Sequence, residues 1–300
     1  AASNQDYAPA LCNLAYCYEN GNGVEKDIKK ANELYERAAY QGYPRAMYNL
    51  AYNYENAIGL EENIERAVVL YRQAAEANYP QAQCKYGYCL EVGFGVEKDE
   101  ALACEYYRRA ADQGDPIGAC NLGYCYESGI GVERNADEAF KYYEQSAKEG
   151  YPRGLANLGY FYEVGLGCKA DPQIAVSLYR QAAEQGYAVA QCNLGYCYEV
   201  GIGVEINYDE AFKYYDMAAK QDYPRAISCI GYCYEAGQGC EQDEKKATDY
   251  YRKASDFGYP VAQCNLGYCY EVGIGVEEDA KQAVHFYQLA AEQGYPRSEE

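Results

Sequence analysis

The apolar positions fall into two short helical patterns that alternate along the chain. In Ala190-Gln191-Cys192-Asn193-Leu194-Gly195-Tyr196-Cys197-Tyr198-Glu199, the small or apolar residues at 190, 194 and 198 stand at i, i+4 and i+8, which makes one stripe on one side of a helix. In the segment that follows, Ala211, Tyr215 and Ala218 stand at i, i+4 and i+7, an inner face of small residues around one large ring. The two stripes predict an antiparallel pair, helix A packed on helix B. The glycine-rich stretches between them predict turns.

Both patterns recur every 36 residues. Tyr16, Tyr52, Tyr88, Tyr124, Tyr160, Tyr196, Tyr232 and Tyr268 keep register without a slip, and a glutamate follows each three residues later, from Glu19 to Glu271. Spacing this regular makes the chain an array. The units run 7–42, 43–78, 79–114, 115–150, 151–186, 187–222, 223–258 and 259–294, with 295–300 the start of a further unit or a tail. The expected fold is an all-α solenoid of eight helix-turn-helix repeats, one domain over 1–300, because a solenoid grows by adding neighbours and needs no larger core.

Glycine and proline punctuate the units. Gly87, Gly123, Gly159, Gly195, Gly231 and Gly267 sit in the middle of helix A at a cost of about 0.5–1 kcal/mol relative to alanine, which close approach of two helix backbones would explain. The first glycine of Gly201-Ile202-Gly203-Val204, and of its equivalents, ends helix A in a left-handed conformation. Gly42, Gly114, Gly150, Gly186, Gly258 and Gly294 end helix B likewise, and a proline soon after starts the next helix A. Ala57 replaces the first loop glycine of the second unit, so that turn is expected to be strained.

The pattern Ala-x-x-x-Leu-Gly-x-x-Tyr-x-x-Gly-x-Gly-Val, followed by Ala-x-x-Tyr-Tyr-x-x-Ala-Ala-x-x-Gly, resembles the Sel-1-like repeat, a branch of the tetratricopeptide-like helical repeats. The resemblance covers nearly all 300 residues and recurs eight times. It implies a right-handed superhelix of helix pairs whose A helices line a concave surface, used as an adaptor that holds proteins or peptides. It implies no chemistry. Cysteine-rich secreted members of the family bridge the end of one helix B to the start of the next helix A; here such positions hold Ala183 and Gln191, which argues against secretion.

With Leu194 and Tyr198 taken as inward, the free side of helix A carries Val189, Cys192, Asn193, Tyr196 and Glu199, neighbours at helical spacing. Repetition turns this face into ladders: Tyr52, Tyr88, Tyr124, Tyr160, Tyr196 and Tyr232; Glu91, Glu127, Glu163 and Glu199; Asn121, Asn157 and Asn193. Flat rings, amides and carboxylates suit an extended basic peptide or protein, so the expected role is a non-catalytic interaction scaffold. Each column also has a packing role open to it. The amide can bond a neighbouring helix, the ring can pack on the next repeat, and the carboxylate can take a glycine-loop N–H or a tyrosine of the adjacent repeat. An acid near a helix C-terminus opposes the macrodipole by about 0.3–1 kcal/mol, so the repeated glutamate calls for a use. Arg45, Arg153 and Arg225 stand at the lip of this face. The alternative function is a structural or regulatory spacer array from a larger protein whose effector region lies elsewhere.

Composition narrows the partners. Lysine and arginine number 26 against 46 aspartates and glutamates, a net charge of −20, which repels nucleic acid and anionic lipid and favours basic proteins. No stretch approaches ~18 consecutive apolar residues, and no secretory pattern stands at the start. Most of the 15 cysteines form two columns five residues apart, represented by Cys192 and Cys197. That offset is about 7.5 Å of rise and ~140° of rotation, so the two cannot bridge within one helix. They read as small fillers suited to a reducing cytoplasm. Cys229 and Cys233 are the nearest approach to a zinc pair, but no C-x-x-C occurs and His285 is the lone histidine. No nucleophile elbow or phosphate loop is found, so no catalytic residue, cofactor or metal is expected. The abrupt ends suggest a piece of a longer protein, or end-to-end self-association.

Overall fold

A computed structural model of the protein describes residues 7–294, and these contain sixteen helices and no strand. The A helices are α1 (Ala8–Asn20), α3 (Pro44–Glu55), α5 (Pro80–Val92), α7 (Pro116–Ser128), α9 (Pro152–Val164), α11 (Ala188–Val200), α13 (Pro224–Ala236) and α15 (Pro260–Val272). The B helices are α2 (Ile28–Tyr40), α4 (Ile64–Glu76), α6 (Glu100–Asp112), α8 (Ala136–Lys148), α10 (Pro172–Glu184), α12 (Tyr208–Ala219), α14 (Glu244–Asp256) and α16 (Ala280–Glu292). The architecture is the expected α/α solenoid. The further unit expected at 295–300 lies outside the described residues.

Each helix is short because both of its ends are specified. Helix A starts on proline, whose missing N–H costs nothing in a first turn, in six of the eight repeats. Helix B starts after an aspartate or asparagine whose side chain accepts a backbone N–H, as Asp27 does from Lys30 at 3.0 Å and Asn63 from Arg66 at 2.9 Å. Such a cap contributes about 1 kcal/mol. The left-handed turns fall where glycine predicted them, at Gly201 (φ 81°) and Gly186 (φ 85°) among others. Ala57 keeps the same turn in the strained left-handed region, at φ 54°. Asn78 and Asp222 do so where helix B usually ends on glycine.

The chain divides into two compact units between Gly154 and Leu155. In the first, α1 packs on α2, α3 on α4, α5 on α6 and α7 on α8, while α2, α4 and α6 each pack on the following A helix. In the second, α11 packs on α12, α13 on α14 and α15 on α16, while α10, α12 and α14 pack on the following A helix. Helix α5 also meets α7 directly, and α13 meets α15.

The core of each of the first seven repeats is one tyrosine of helix B, and its equivalent in the eighth, Tyr287, is only half-buried. Tyr35, Tyr71, Tyr107, Tyr143, Tyr179, Tyr215 and Tyr251 are all at most 1% exposed. Burying such a ring stabilises by about 1.5–3 kcal/mol. The mid-helix glycine is what admits it: a Cβ on Gly195 would stand 2.7 Å from Cδ1 of Tyr215 and 3.2 Å from the Ala211 carbonyl. The close approach is thus a helix A backbone against a helix B ring, not two backbones alone. The second loop glycine works between repeats. A Cβ on Gly203 would lie 2.2 Å from the Pro172 carbonyl oxygen, and one on Gly275 equally close to that of Glu244. Helix B reaches forward to the same loops. Asn32 donates to the Ile58 carbonyl at 2.8 Å and Thr248 to that of Ile274 at 2.8 Å.

Candidate functional site

Helix A is buried against its own helix B and against the neighbouring repeats. In α11 the buried positions are Ala190, Gln191, Cys192, Leu194, Gly195 and Cys197. Cys192 therefore belongs to the core, beside Ala226 and Ile230, and not to the free face where a single-stripe reading placed it. Tyr198, read as inward, is only half-buried and stacks on Tyr214 with ring centroids 5.9 Å apart and planes within 4°. A second contact partner shifts the buried arc, and the one-stripe pattern did not include it.

What remains open on helix A is the tyrosine column. Tyr16, Tyr52, Tyr88, Tyr160, Tyr232 and Tyr268 are 44–47% exposed, and Tyr124 and Tyr196 are 38% exposed. The two lower values have a visible cause. Arg153 of the next A helix lies over the Tyr124 ring at 5.7 Å and donates to Asn121 Oδ1 at 3.1 Å. Arg225 lies over Tyr196 at 5.8 Å and donates to Asn193 Oδ1 at 3.0 Å. The carbonyls of Asn121 and Asn193 thus serve the array itself, while Asn157 is half-buried in the same column.

The glutamates are tied inward. Tyr107 donates to Glu91 Oε2 at 2.6 Å, Tyr143 to Glu127 Oε2 at 2.5 Å and Tyr179 to Glu163 Oε2 at 2.7 Å, and Tyr215 makes the same bond to Glu199. Donor and acceptor belong to one repeat, not to neighbours. Burial, and after it the carboxylate beside the hydroxyl, holds the Tyr107 hydroxyl far above the ordinary tyrosine range. The carboxylate keeps a second oxygen, and two repeats show what it takes. Asn53 donates to Glu19 Oε1 at 3.0 Å, and Lys85 donates to Glu55 Oε1 at 2.7 Å.

Lys85 replaces asparagine in its column, and its ammonium also lies 5.4 Å from the Tyr88 ring centroid. Beside it is a depression of about 380 Å³ lined by Tyr48, Gln81, Lys85, Tyr88, Ile117 and Arg153. Val92, Val164, Val200 and Val272 are exposed one turn beyond their tyrosines. Neither Lys85 nor these valines stood out in the sequence, although the i+4 spacing from Tyr88 to Val92 carried the signal.

The thiols are mostly packing. Burial pushes the Cys197 thiol up to about 12 and the Cys120 thiol up to about 11. Cys229 stands near Cys192 of the preceding A helix, and that neighbouring thiol lowers its pKa. Among the described residues no group of three or more His, Cys, Asp or Glu could hold a metal, and no helix is long and apolar enough to cross a membrane. His285 is exposed and lies against Phe286 at 5.2 Å.

The Sel1 repeat description matches residues 8–43, 44–79, 80–115, 116–151, 152–187, 188–223, 226–259 and 260–295. No curated protein matches the chain. Among solved structures, c5321, a protective antigen of uropathogenic Escherichia coli strains displaying an SLR fold, is 34% identical with a TM-score of 0.75. The alignment covers 97% of this chain and 63% of that one, so the present chain spans less than two thirds of its relative. A Sel1 repeat protein from Oxalobacter formigenes is 28% identical with a TM-score of 0.75, over 85% of this chain and 98% of its own. Eight matched repeats that together span the described helices, and two relatives of the same build, make this chain a member of the Sel1 repeat family.

Proposed function

We propose that the tyrosine-bearing side of the A helices is a docking surface and that the chain is a non-catalytic scaffold for a basic, extended protein or peptide. Proteins built from Sel1 repeats generally mediate protein–protein interactions and are typically non-catalytic. The observation that carries the reading is a large ring left 38–47% exposed at the same place on all eight A helices. Tyrosine pairs an apolar body with a polar tip and is enriched where proteins meet. The net charge of −20 supports a basic partner over nucleic acid. The glutamates each accept a hydrogen bond from the helix B tyrosine of their own repeat and are not a free acidic row. A reducing, cytoplasmic setting belongs to the same reading, supported by thiols that mostly serve as packing.

Selection of binders from a random peptide library, followed by titration calorimetry, tests this. Tyr52→Ala combined with Tyr88→Ala, and Tyr160→Ala combined with Tyr232→Ala, should each weaken selected peptides by about tenfold or more, equivalent to at least ~1.4 kcal/mol, with little change in melting temperature. Selected peptides that bind both variants as tightly as the parent chain would sink the proposal.

A further inference from the structure

We infer that the segment held on the tyrosine rows is a basic polyproline II helix with lysine or arginine at every third residue. This rests on the docking reading above and goes further by fixing the conformation and period of the partner.

Spacing is the first argument. Each exposed tyrosine borne on an A helix is the ninth residue of that helix, so the rings recur from helix to helix and not along one helix. Two neighbouring pairs of A helices meet directly, α5 with α7 and α13 with α15, and packed helix axes stand about 8–10 Å apart. A polyproline II helix has three residues per turn at ~3.1 Å each, so like positions return about every 9 Å, once per repeat. A strand returns like positions about every 6.6–6.8 Å, and an α-helix every ~5.4 Å, neither of which keeps step.

Chemistry is the second. Polyproline II leaves its backbone carbonyls unpaired and shows flat apolar rings, which half-exposed tyrosines meet with a ring face and a hydroxyl. The cation is demonstrated within the chain. Lys85 places its ammonium on Glu55 Oε1 at 2.7 Å and 5.4 Å from the Tyr88 ring, and Arg153 and Arg225 lie over Tyr124 and Tyr196. The ring face therefore accepts a basic side chain, and a partner lysine over an uncovered ring would repeat that contact from outside. The net charge of −20 has the complementary sign.

The test uses the full chain and labelled peptides of about twelve residues, long enough at ~3.1 Å per residue to pass four rings. Fluorescence anisotropy at physiological salt compares a Pro-Pro-Lys repeat with three peptides of equal charge: a Gly-Ser-Lys repeat, a Pro/Lys peptide with its lysines bunched at one end, and an alanine-rich helix. The Pro-Pro-Lys repeat should bind at least about tenfold tighter than each of the others, and Tyr160→Ala with Tyr232→Ala should remove the advantage. Equal or tighter binding of any control, or no binding of the Pro-Pro-Lys repeat, overturns the inference. If the tyrosine variants weaken all peptides alike, the docking reading stands and only the period fails. If they weaken none, both fail.

Discussion

Tyr143 and Glu127 meet in a hydrogen bond between a fully buried ring and a half-buried carboxylate. Tyr143→Phe keeps the ring and removes the donor, so the carboxylate loses a partner without a cavity forming. The expected loss is about 1.5–3 kcal/mol in urea unfolding, the range for bonds to charged groups. Glu127→Gln keeps an acceptor oxygen and should cost about half as much or less. Equal losses for the two would show that the bond contributes through charge alone. Ala57 offers the opposite case. At φ 54° it carries left-handed strain of about 1–2 kcal/mol, and Ala57→Gly gives back part of that in unfolded-chain entropy. A net gain of about 0.5–1 kcal/mol should appear as a higher melting temperature. The strain at Ala57 was legible in the sequence because a turn position dictates its own backbone angle. The fate of the glutamates was not, because it depends on which ring a rotamer meets across the hairpin. The constant offset of 16 residues from Glu127 to Tyr143, repeated from Glu19–Tyr35 onward, was the unused signal.

At the scale of helices and turns, glycines that look alike in sequence do different work. Gly186 turns through φ 85° with nothing within 4 Å of a Cβ, whereas Gly203 turns through φ 67° with the Pro172 carbonyl 2.2 Å away. Gly186→Ala should therefore cost only the left-handed strain, about 1–2 kcal/mol. Gly203→Ala adds a clash with a neighbouring helix and should cost clearly more, with α10 and α11 losing hydrogen-exchange protection together. Equal costs would mean the loop can retreat from the helix it touches. Helix positions, caps and turns were readable because period, proline and glycine act locally. The buried arc of helix A was not, since Cys192 and Tyr198 are sorted by two packing partners and a single stripe describes one.

Across the whole molecule, the buried tyrosines give stability a common dependence on pH. An ordinary tyrosine ionises near pH 10. In the folded chain burial raises Tyr71, Tyr107, Tyr143, Tyr179 and Tyr251 above that, and the adjoining glutamate raises them further. The folded state then holds protons that the unfolded state releases, so this contribution is complete below about pH 10 and drains away as pH climbs through the folded values. A distinct part of the tyrosinate absorbance change should coincide with the loss of helical circular dichroism above that pH, since buried hydroxyls ionise only as the helices open. Ionisation of all tyrosines with helicity intact would contradict the buried cores. A last consequence follows from the loop glycines. Where Gly203 and Gly275 meet the preceding helix they touch main-chain carbonyls, which every amino acid supplies. At these two positions the joint rests largely on main-chain groups, which lets whole blocks of 36 residues be duplicated or deleted in a lineage with little redesign of what flanks them. Copy number, and with it the length of partner that can be gripped, becomes a variable that evolution can change by recombination alone.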